Sequence, residues 1–314
     1  MGMEETCKEL FADIKINEPL EKYSTLRIGG PADYFYQLKD EEELPKLVDF
    51  CRNKKIPMLI LGGGSNVLFD DKGFRGMVIK IETEKIKFDL NRNTVTADAG
   101  VPISKLLRAT VENGLSGLEK WMGLPGSVGG AVRGNAGCNG LETKDILRIA
   151  KIFDLKDSKI KEFKKEDLDF SYRNSKIKND DDLIVISAIF QLKKREGTEE
   201  EQRKKMMEIA GERGQKQVYG LTAGSFFKNP SPENPAGMLI EQAGLKGKTI
   251  GKAQISEKHA NFFINKGGAT AKDMIELANL AKSQVKAKFG IELEEEVRIF
   301  TEKNGKILAE KRAI

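Results

Sequence analysis

A strand-like run, Ile56-Pro57-Met58-Leu59-Ile60-Leu61, opens directly into Gly62-Gly63-Gly64-Ser65-Asn66, and no other stretch restricts the fold of this chain as strongly. Adjacent glycines let the backbone take positive φ and bring several N–H groups against one ligand, which is how phosphates are cradled without a charged side chain. Residues 34–38 read as a strand. Residues 40–55 read as a helix with an acidic start, a Lys54-Lys55 end, and Leu44, Leu47, Val48 and Cys51 on one face. The glycine turn therefore closes a β-α-β unit. A plain tight turn would use the same pentapeptide, so both readings stay open here. A P-loop is excluded, because no Gly-Lys-Ser/Thr follows.

A second glycine-rich stretch runs through Gly117, then Gly123-Leu124-Pro125-Gly126-Ser127-Val128-Gly129-Gly130, then Gly134-Asn135-Ala136-Gly137. A Rossmann fingerprint needs a different glycine spacing and an acidic residue about 20 positions on, and is rejected. What remains is a small-residue surface on which a flat, extended cofactor can lie close to the backbone. Close packing of a helix on a sheet is the alternative. Two such stretches in one half of the chain favour the cofactor.

Strands are expected at 78–81, 86–90 and 94–99, with a hairpin turn at 91–93. A helix then starts near Pro102, turns Ile103, Leu106, Leu107, Thr110 and Val111 inward, and stops at Asn113-Gly114. Residues 149–155 and 183–190 read as strands, the latter apolar enough to be buried on both faces, with an aromatic-arginine turn at 169–175 between them. The charged helix 199–213 shows only Met206, Met207 and Ile209 as an apolar face and is expected to lead out of the cofactor half, with a boundary near Gly214. Helices follow at 235–242 and 271–289, the second with Met274, Ile275, Leu277, Ala278, Ala281 and Val285 inward and a stop at Gly290. Residues 291–299 read as a strand of period two. Ile291, Leu293, Val297 and Ile299 then share one face, and Glu292, Glu294, Glu296 and Arg298 the other.

A length of 314 residues suits two or three domains. No apolar run approaches the roughly 18 residues that span a bilayer, and residues 1–10 lack a signal-peptide core, so a cytoplasmic protein without membrane insertion is expected. Three scattered cysteines suggest neither a disulfide framework nor a metal site. The net charge of +5 is spread among interspersed acids and bases, as in 161–167, which argues against nucleic acid as a partner and suits an anionic small ligand.

Thr25-Leu26-Arg27-Ile28-Gly29-Gly30, Leu61-Gly62-Gly63-Gly64-Ser65-Asn66-Val67-Leu68, Pro125-Gly126-Ser127-Val128-Gly129-Gly130, Tyr172-Arg173-Asn174-Ser175, Ala223-Gly224-Ser225-Phe226-Phe227-Lys228-Asn229-Pro230 and Leu293-Glu294-Glu295-Glu296-Val297-Arg298 occur in this order. Together they resemble the UDP-N-acetylenolpyruvoylglucosamine reductase (MurB) family over nearly the whole length, in its shorter, type II-like variant without an extra tyrosine-bearing loop. The resemblance implies an α+β fold: flavin domains of the PCMH/vanillyl-alcohol-oxidase type followed by a C-terminal α+β substrate domain. The expected divisions are 1–80 and 81–213 for two FAD-binding subdomains and 214–296 for the substrate domain, with 297–314 a candidate completion of the first.

It further implies non-covalent FAD, NADPH as reductant, a UDP-sugar substrate reduced at its enolpyruvyl double bond to UDP-N-acetylmuramate, and a monomer. Ser225 falls on the family's proton-donor serine, and Arg173 and Glu296 on its other catalytic positions. Chemistry fits these types: a guanidinium holds a carboxylate and developing enolate charge, and a glutamate beside an enolate acts best protonated, with a raised pKa. Gly62, Gly63, Gly64, Ser65, Asn66, Gly123, Pro125, Gly126, Ser127, Gly129, Gly130 and Asn135 are the expected FAD contacts. Lys228, Asn229 and Arg298 are the expected substrate contacts, with Lys216 as a further cation. No covalent flavin or metal role is expected for His259. Two departures from the family pattern stand out: no proline in Gln217-Val218-Tyr219-Gly220-Leu221, and Arg133-Gly134 where two apolar residues are usual. The alternatives are another FAD oxidoreductase of the same fold, or a nucleotide-sugar-binding protein without turnover.

Overall fold

The computed structural model describes residues 3–216, 218–303 and 306–309. By its contacts the chain divides into two units, one made of Met1–Tyr36, Gly64–Val78 and Lys216–Ile314, the other of Gln37–Gly63 and Ile79–Gln215. Gln217, residues 304–305 and residues 310–314, and with them part of the expected 297–314 segment, lie outside the described residues, as does the side chain of Lys216.

The unit made of 37–63 and 79–215 is built on a five-stranded antiparallel sheet. Its order is Lys159–Lys164, Leu147–Asp154, Leu183–Gln191, Thr94–Asp98 and Ile86–Asp89. The apolar strand sits in the middle, with every residue from Leu183 to Ala188 buried, as its composition requires. The charged strand Lys159–Lys164 forms an edge, where alternating lysines meet water and discourage further pairing. Asn93 takes φ 51° in the hairpin between the 86–89 and 94–98 strands. The helix Ile103–Glu112 buries the five residues expected of it. A short helix, Val128–Gly134, packs on the central strand. A Cβ on Gly129 would lie 2.9 Å from that of Ala99, so a side chain there would push this helix off the sheet.

The other unit carries a four-stranded antiparallel sheet in the order Leu221–Ser225, Phe262–Asn265, Ala253–Ile255 and Thr249–Ile250. The helices Ala236–Gln242 and Ala271–Phe289 share its core, in which Phe226, Phe227, Phe263, Leu239, Ile240, Met274, Leu277 and Val285 are all buried. The long helix is capped at both ends. Thr270 and Asp273 form a capping box, the Asp71 carboxylate accepts the Ala271 N–H at 2.8 Å, and Gly290 ends the helix at φ 70°. Residues 298–300 run parallel to Val67–Phe69, which brings the last described third of the chain back to its first quarter.

The regular strand expected over 291–299 begins only at Arg298. Residues 291–297 are irregular apart from one bridge between Glu295 and Phe227. The reason is a doubled pairing: Glu296 and Val297 both donate to the carbonyl of Phe226, at 2.8 and 3.3 Å, so two residues face one and the alternation is lost. Leu293 and Val297 are still buried, as the pattern required, but the shared facing of Glu296 and Arg298 no longer follows from period two.

Phe263 is fully buried, stacked on Phe226 with centroids 4.5 Å apart and edge-on to Phe227 at 5.8 Å. Phe263→Ala is expected to lower the unfolding free energy by about 3–5 kcal/mol, measured by urea denaturation of the cofactor-free protein. A loss below about 1 kcal/mol would show that this aromatic cluster does not hold the unit together.

Candidate active site

In the unit made of 37–63 and 79–215 the two glycine-rich stretches meet. A Cβ on Gly63 would lie 2.8 Å from the Cα of Gly126, and one on Gly62 would lie 2.7 Å from the Ser127 Oγ. Backbone therefore touches backbone, and glycine is required by contact as well as by flexibility. Beside this junction lies a cavity of about 850 Å³, within the range of cofactor pockets. Of the expected contacts, Gly62, Gly63, Gly123, Pro125, Gly126 and Ser127 line it. The Ser127 hydroxyl is buried and has no hydrogen-bond partner among the described residues, although Ser127 stands at the N-cap of the 128–134 helix. A buried hydroxyl left in this state is costly unless a ligand atom meets it.

Several lining residues carried no signal in the sequence. Trp121 is buried, with its indole N–H donating to the Leu141 carbonyl at 3.2 Å, and Leu107 and Val111 come from the inward face of the 103–112 helix. Lys80 and Glu82 add an ion pair. Burial alone would raise the Glu82 carboxyl, but hydrogen bonds from Lys80 and Gln37 and the Lys80 charge hold it below the ordinary range. The helix Glu199–Lys216 does more than lead out of this half: Arg203 and Met206 form part of the cavity wall. Gln202 ties that helix down, donating to the Leu115 carbonyl at 2.9 Å and to Glu119 at 2.7 Å.

Gly129, Gly130 and Asn135 are not in the lining. Gly129 serves the helix-sheet contact, and Asn135 spends its amide inside the protein. At φ 44° and fully buried, Asn135 donates to the Ser171 carbonyl at 2.9 Å and to Glu142 at 3.1 Å, and accepts the Lys144 N–H at 3.1 Å. It thus braces the turn that carries Arg173. Ser171 and Asn174 exchange both backbone hydrogen bonds, Arg173 sits at φ 55°, its Nη2 donates to the Gly137 carbonyl at 3.2 Å, and its guanidinium lies 5.3 Å from the centre of the Tyr172 ring. The unusual Arg133 is accommodated locally by Asp181 and the Lys178 carbonyl, each at 3.2 Å.

In the other unit, Ser225 ends the 221–225 strand next to a bulge, since Thr222 pairs with Ile264 and Ser225 with Phe262. Gly224, at φ 78°, permits that bulge, which turns Ser225 out of strict alternation. The Glu296 N–H donates to the Phe226 carbonyl, so Glu296 itself is tied to the residue that follows Ser225. Asn261 reinforces the loop: its side chain exchanges two hydrogen bonds with the backbone of Phe227, at 2.9 and 2.8 Å. Lys228 makes an ion pair with Glu294, and its N–H donates to the Glu294 carbonyl at 2.7 Å. Asn229 accepts the Ala236 N–H at 3.1 Å, fixing the start of the 236–242 helix.

Gly64, Ser65 and Asn66 belong to this unit. A Cβ on Gly64 would fall 1.8 Å from the Tyr23 carbonyl oxygen. Asn66 donates from Nδ2 to the Glu296 carbonyl at 3.0 Å and accepts the Arg298 N–H at 3.1 Å. The Arg298 guanidinium lies 4.9 Å from the centre of the Phe300 ring. His259 is packed beneath Gly237 and accepts the Asn261 N–H at 3.2 Å; burial pushes its imidazole below the ordinary value.

Two family profiles match the chain: "FAD binding domain" over residues 32–164, and "UDP-N-acetylenolpyruvoylglucosamine reductase, C-terminal domain" over residues 215–300. Among curated proteins, the UDP-N-acetylenolpyruvoylglucosamine reductase of Syntrophomonas wolfei is 41% identical over 92% of this chain and 95% of its own length. That of Clostridioides difficile is 40% identical over 92% of this chain and 94% of its own length. The crystal structure of the Thermus caldophilus enzyme superposes with a TM-score of 0.76 at 35% identity, covering 91% of this chain and 98% of the other.

The glycine junction, the unsatisfied Ser127 hydroxyl and the cavity volume all fit the FAD that the first profile describes. Gly63→Ala forces backbone against backbone at about 1–3 kcal/mol. The purified variant is therefore expected to retain FAD about ten-fold or more less tightly, read as flavin absorbance per protein after desalting. Undiminished flavin in this variant would place the cofactor elsewhere.

Proposed function

The chain belongs to the UDP-N-acetylenolpyruvoylglucosamine reductase family, and from that premise we propose how its own residues carry out the reaction. It is an FAD-dependent oxidoreductase of peptidoglycan precursor synthesis that reduces UDP-N-acetylglucosamine enolpyruvate to UDP-N-acetylmuramate. When bound, FAD supplies the hydride that the terminal carbon of the enol ether accepts. The reductant that reloads it is proposed to be NADPH. The protein is proposed to work as a cytoplasmic monomer; among the described residues no helix is long and apolar enough to cross a membrane. Residues 1–80 and 81–213 are proposed to serve the flavin and 214–296 the substrate.

Hydride arrival at the terminal carbon leaves negative charge on the neighbouring carbon and its carboxylate. Arg173 is assigned to that charge. What supports it is a guanidinium held in a braced turn, with the backbone already in the left-handed region and one nitrogen engaged by the Gly137 carbonyl. Such fixed donors stabilise developing charge without reorganising as it forms.

Ser225 is assigned to deliver the proton to that carbon, which completes the addition of hydride and proton across the double bond. A serine hydroxyl is a weak acid, so placement has to do what its pKa does not. The observation that carries the assignment is the shared carbonyl of Phe226, which ties the segment of Glu296 to the residue after Ser225. Glu296 is assigned to assist at the same carbon. Lys228, Asn229 and Arg298 are assigned to the UDP-sugar, with Lys228 as a point charge for the diphosphate. Since Lys228 already faces Glu294, diphosphate must compete with that carboxylate for it.

Ser225→Ala is expected to slow oxidation of the reduced enzyme by the enolpyruvyl substrate by about 10²–10⁴-fold, the range lost with a general acid. Bleaching of the flavin by NADPH should proceed at the wild-type rate. Stopped-flow absorbance separates the two half-reactions. Equal oxidation rates in variant and wild type would remove Ser225 from the role, and failure of the wild type to bleach with NADPH would remove that reductant.

A further inference from the structure

Asn66 stands in the family's glycine turn and reads in the sequence as a cofactor contact, yet its side chain points to other work. Its Nδ2 donates to the Glu296 carbonyl at 3.0 Å, while its own carbonyl accepts the Arg298 N–H at 3.1 Å. One residue thus grips the chain on both sides of Val297. On the opposite edge, the Phe226 carbonyl accepts from Glu296 and Val297 at 2.8 and 3.3 Å. The peptide groups flanking Glu296 are therefore held from two directions, by a loop next to Ser225 and by Asn66.

Point contacts matter here because the ladder is missing. Residues 291–297 have no regular strand pairing, and regular pairing toward Val67–Phe69 starts only at Arg298. Without a ladder the orientation of the 296–297 peptide, and with it the direction of the Glu296 side chain, depends on individual hydrogen bonds. An asparagine amide suits this place because it donates through Nδ2. Alanine removes this donor, and aspartate would set a carboxylate oxygen against a carbonyl oxygen.

We propose that Asn66 is a positioning residue that orients Glu296 for the reaction through its amide, rather than a residue whose side chain holds the flavin. The proposal rests on the assignment of Glu296 to the chemistry. Misplacing a reacting group by about 1 Å costs on the order of 10²-fold. Asn66→Ala should then lower kcat by about 10–100-fold with flavin content and the KM for the enolpyruvyl substrate near wild type. Asn66→Asp should be at least as slow.

The decisive measurement is a double-mutant cycle with Glu296→Gln, following kcat of the flavin-loaded enzymes and the FAD dissociation constant of each. If Asn66 acts through Glu296, adding Asn66→Ala to Glu296→Gln costs little more. Multiplicative losses overturn the proposal, as does wild-type kcat in Asn66→Ala. Weakened FAD binding with unchanged kcat per bound flavin makes Asn66 a flavin contact and also overturns it. Wild-type kcat in Glu296→Gln alone instead removes the underlying assignment of Glu296. Should Asn66→Ala fail to fold, Asn66→Ser, which keeps a shorter donor, runs the same cycle.

Discussion

The carbonyl of Phe226 takes two N–H groups, those of Glu296 and Val297, and its position is set by the packing of its own ring. That ring is fully buried and stacked on Phe263. Apolar packing thus fixes a polar acceptor, and the acceptor fixes the register of the acidic segment that leads into the strand beginning at Arg298. Ser225 precedes Phe226 in the chain, so one buried aromatic governs the backbone on both sides of the proposed chemistry. Energetically the arrangement is sound: the packing contributes free energy in proportion to buried area, while the hydrogen bonds contribute little net and mostly direction.

Helices were the most legible part of the fold. Ala271–Phe289 is marked by an apolar stripe and a terminal glycine, and Ile103–Glu112 by an apolar face between Pro102 and Asn113-Gly114. Strands are less legible, in both directions. Lys159–Lys164 has the composition of a solvated surface because it is an edge, where charge serves against aggregation. Residues 291–297 have the alternation of a strand and lack its pairing, since a doubled acceptor is invisible to periodicity.

The candidate site was legible as chemistry and only partly as geometry. Two glycine-rich stretches could be singled out, but the sequence does not distinguish a glycine that faces a cavity, such as Gly126, from one that seats a helix, such as Gly129. That distinction depends on which atoms a Cβ would meet. Asparagines posed the same problem: Asn66, Asn135 and Asn261 each replace missing backbone pairing with a side-chain amide, and nothing local marks them for it. The cavity wall supplied by Arg203 and Met206 comes from a helix whose charge points to solvent exposure.

One unit is gathered from three separated segments, and Leu26, Ile28 and Leu68 share its core with residues as late as Val297. During synthesis those early apolar side chains emerge long before their partners. At about 5–20 residues per second they wait on the order of tens of seconds for cover. The other unit, complete once Gln215 has emerged, can close earlier, before most of the third segment has been made. The order of folding therefore departs from the order of synthesis: the middle of the chain can fold first, and the segments on either side of it must be kept from strangers until they meet.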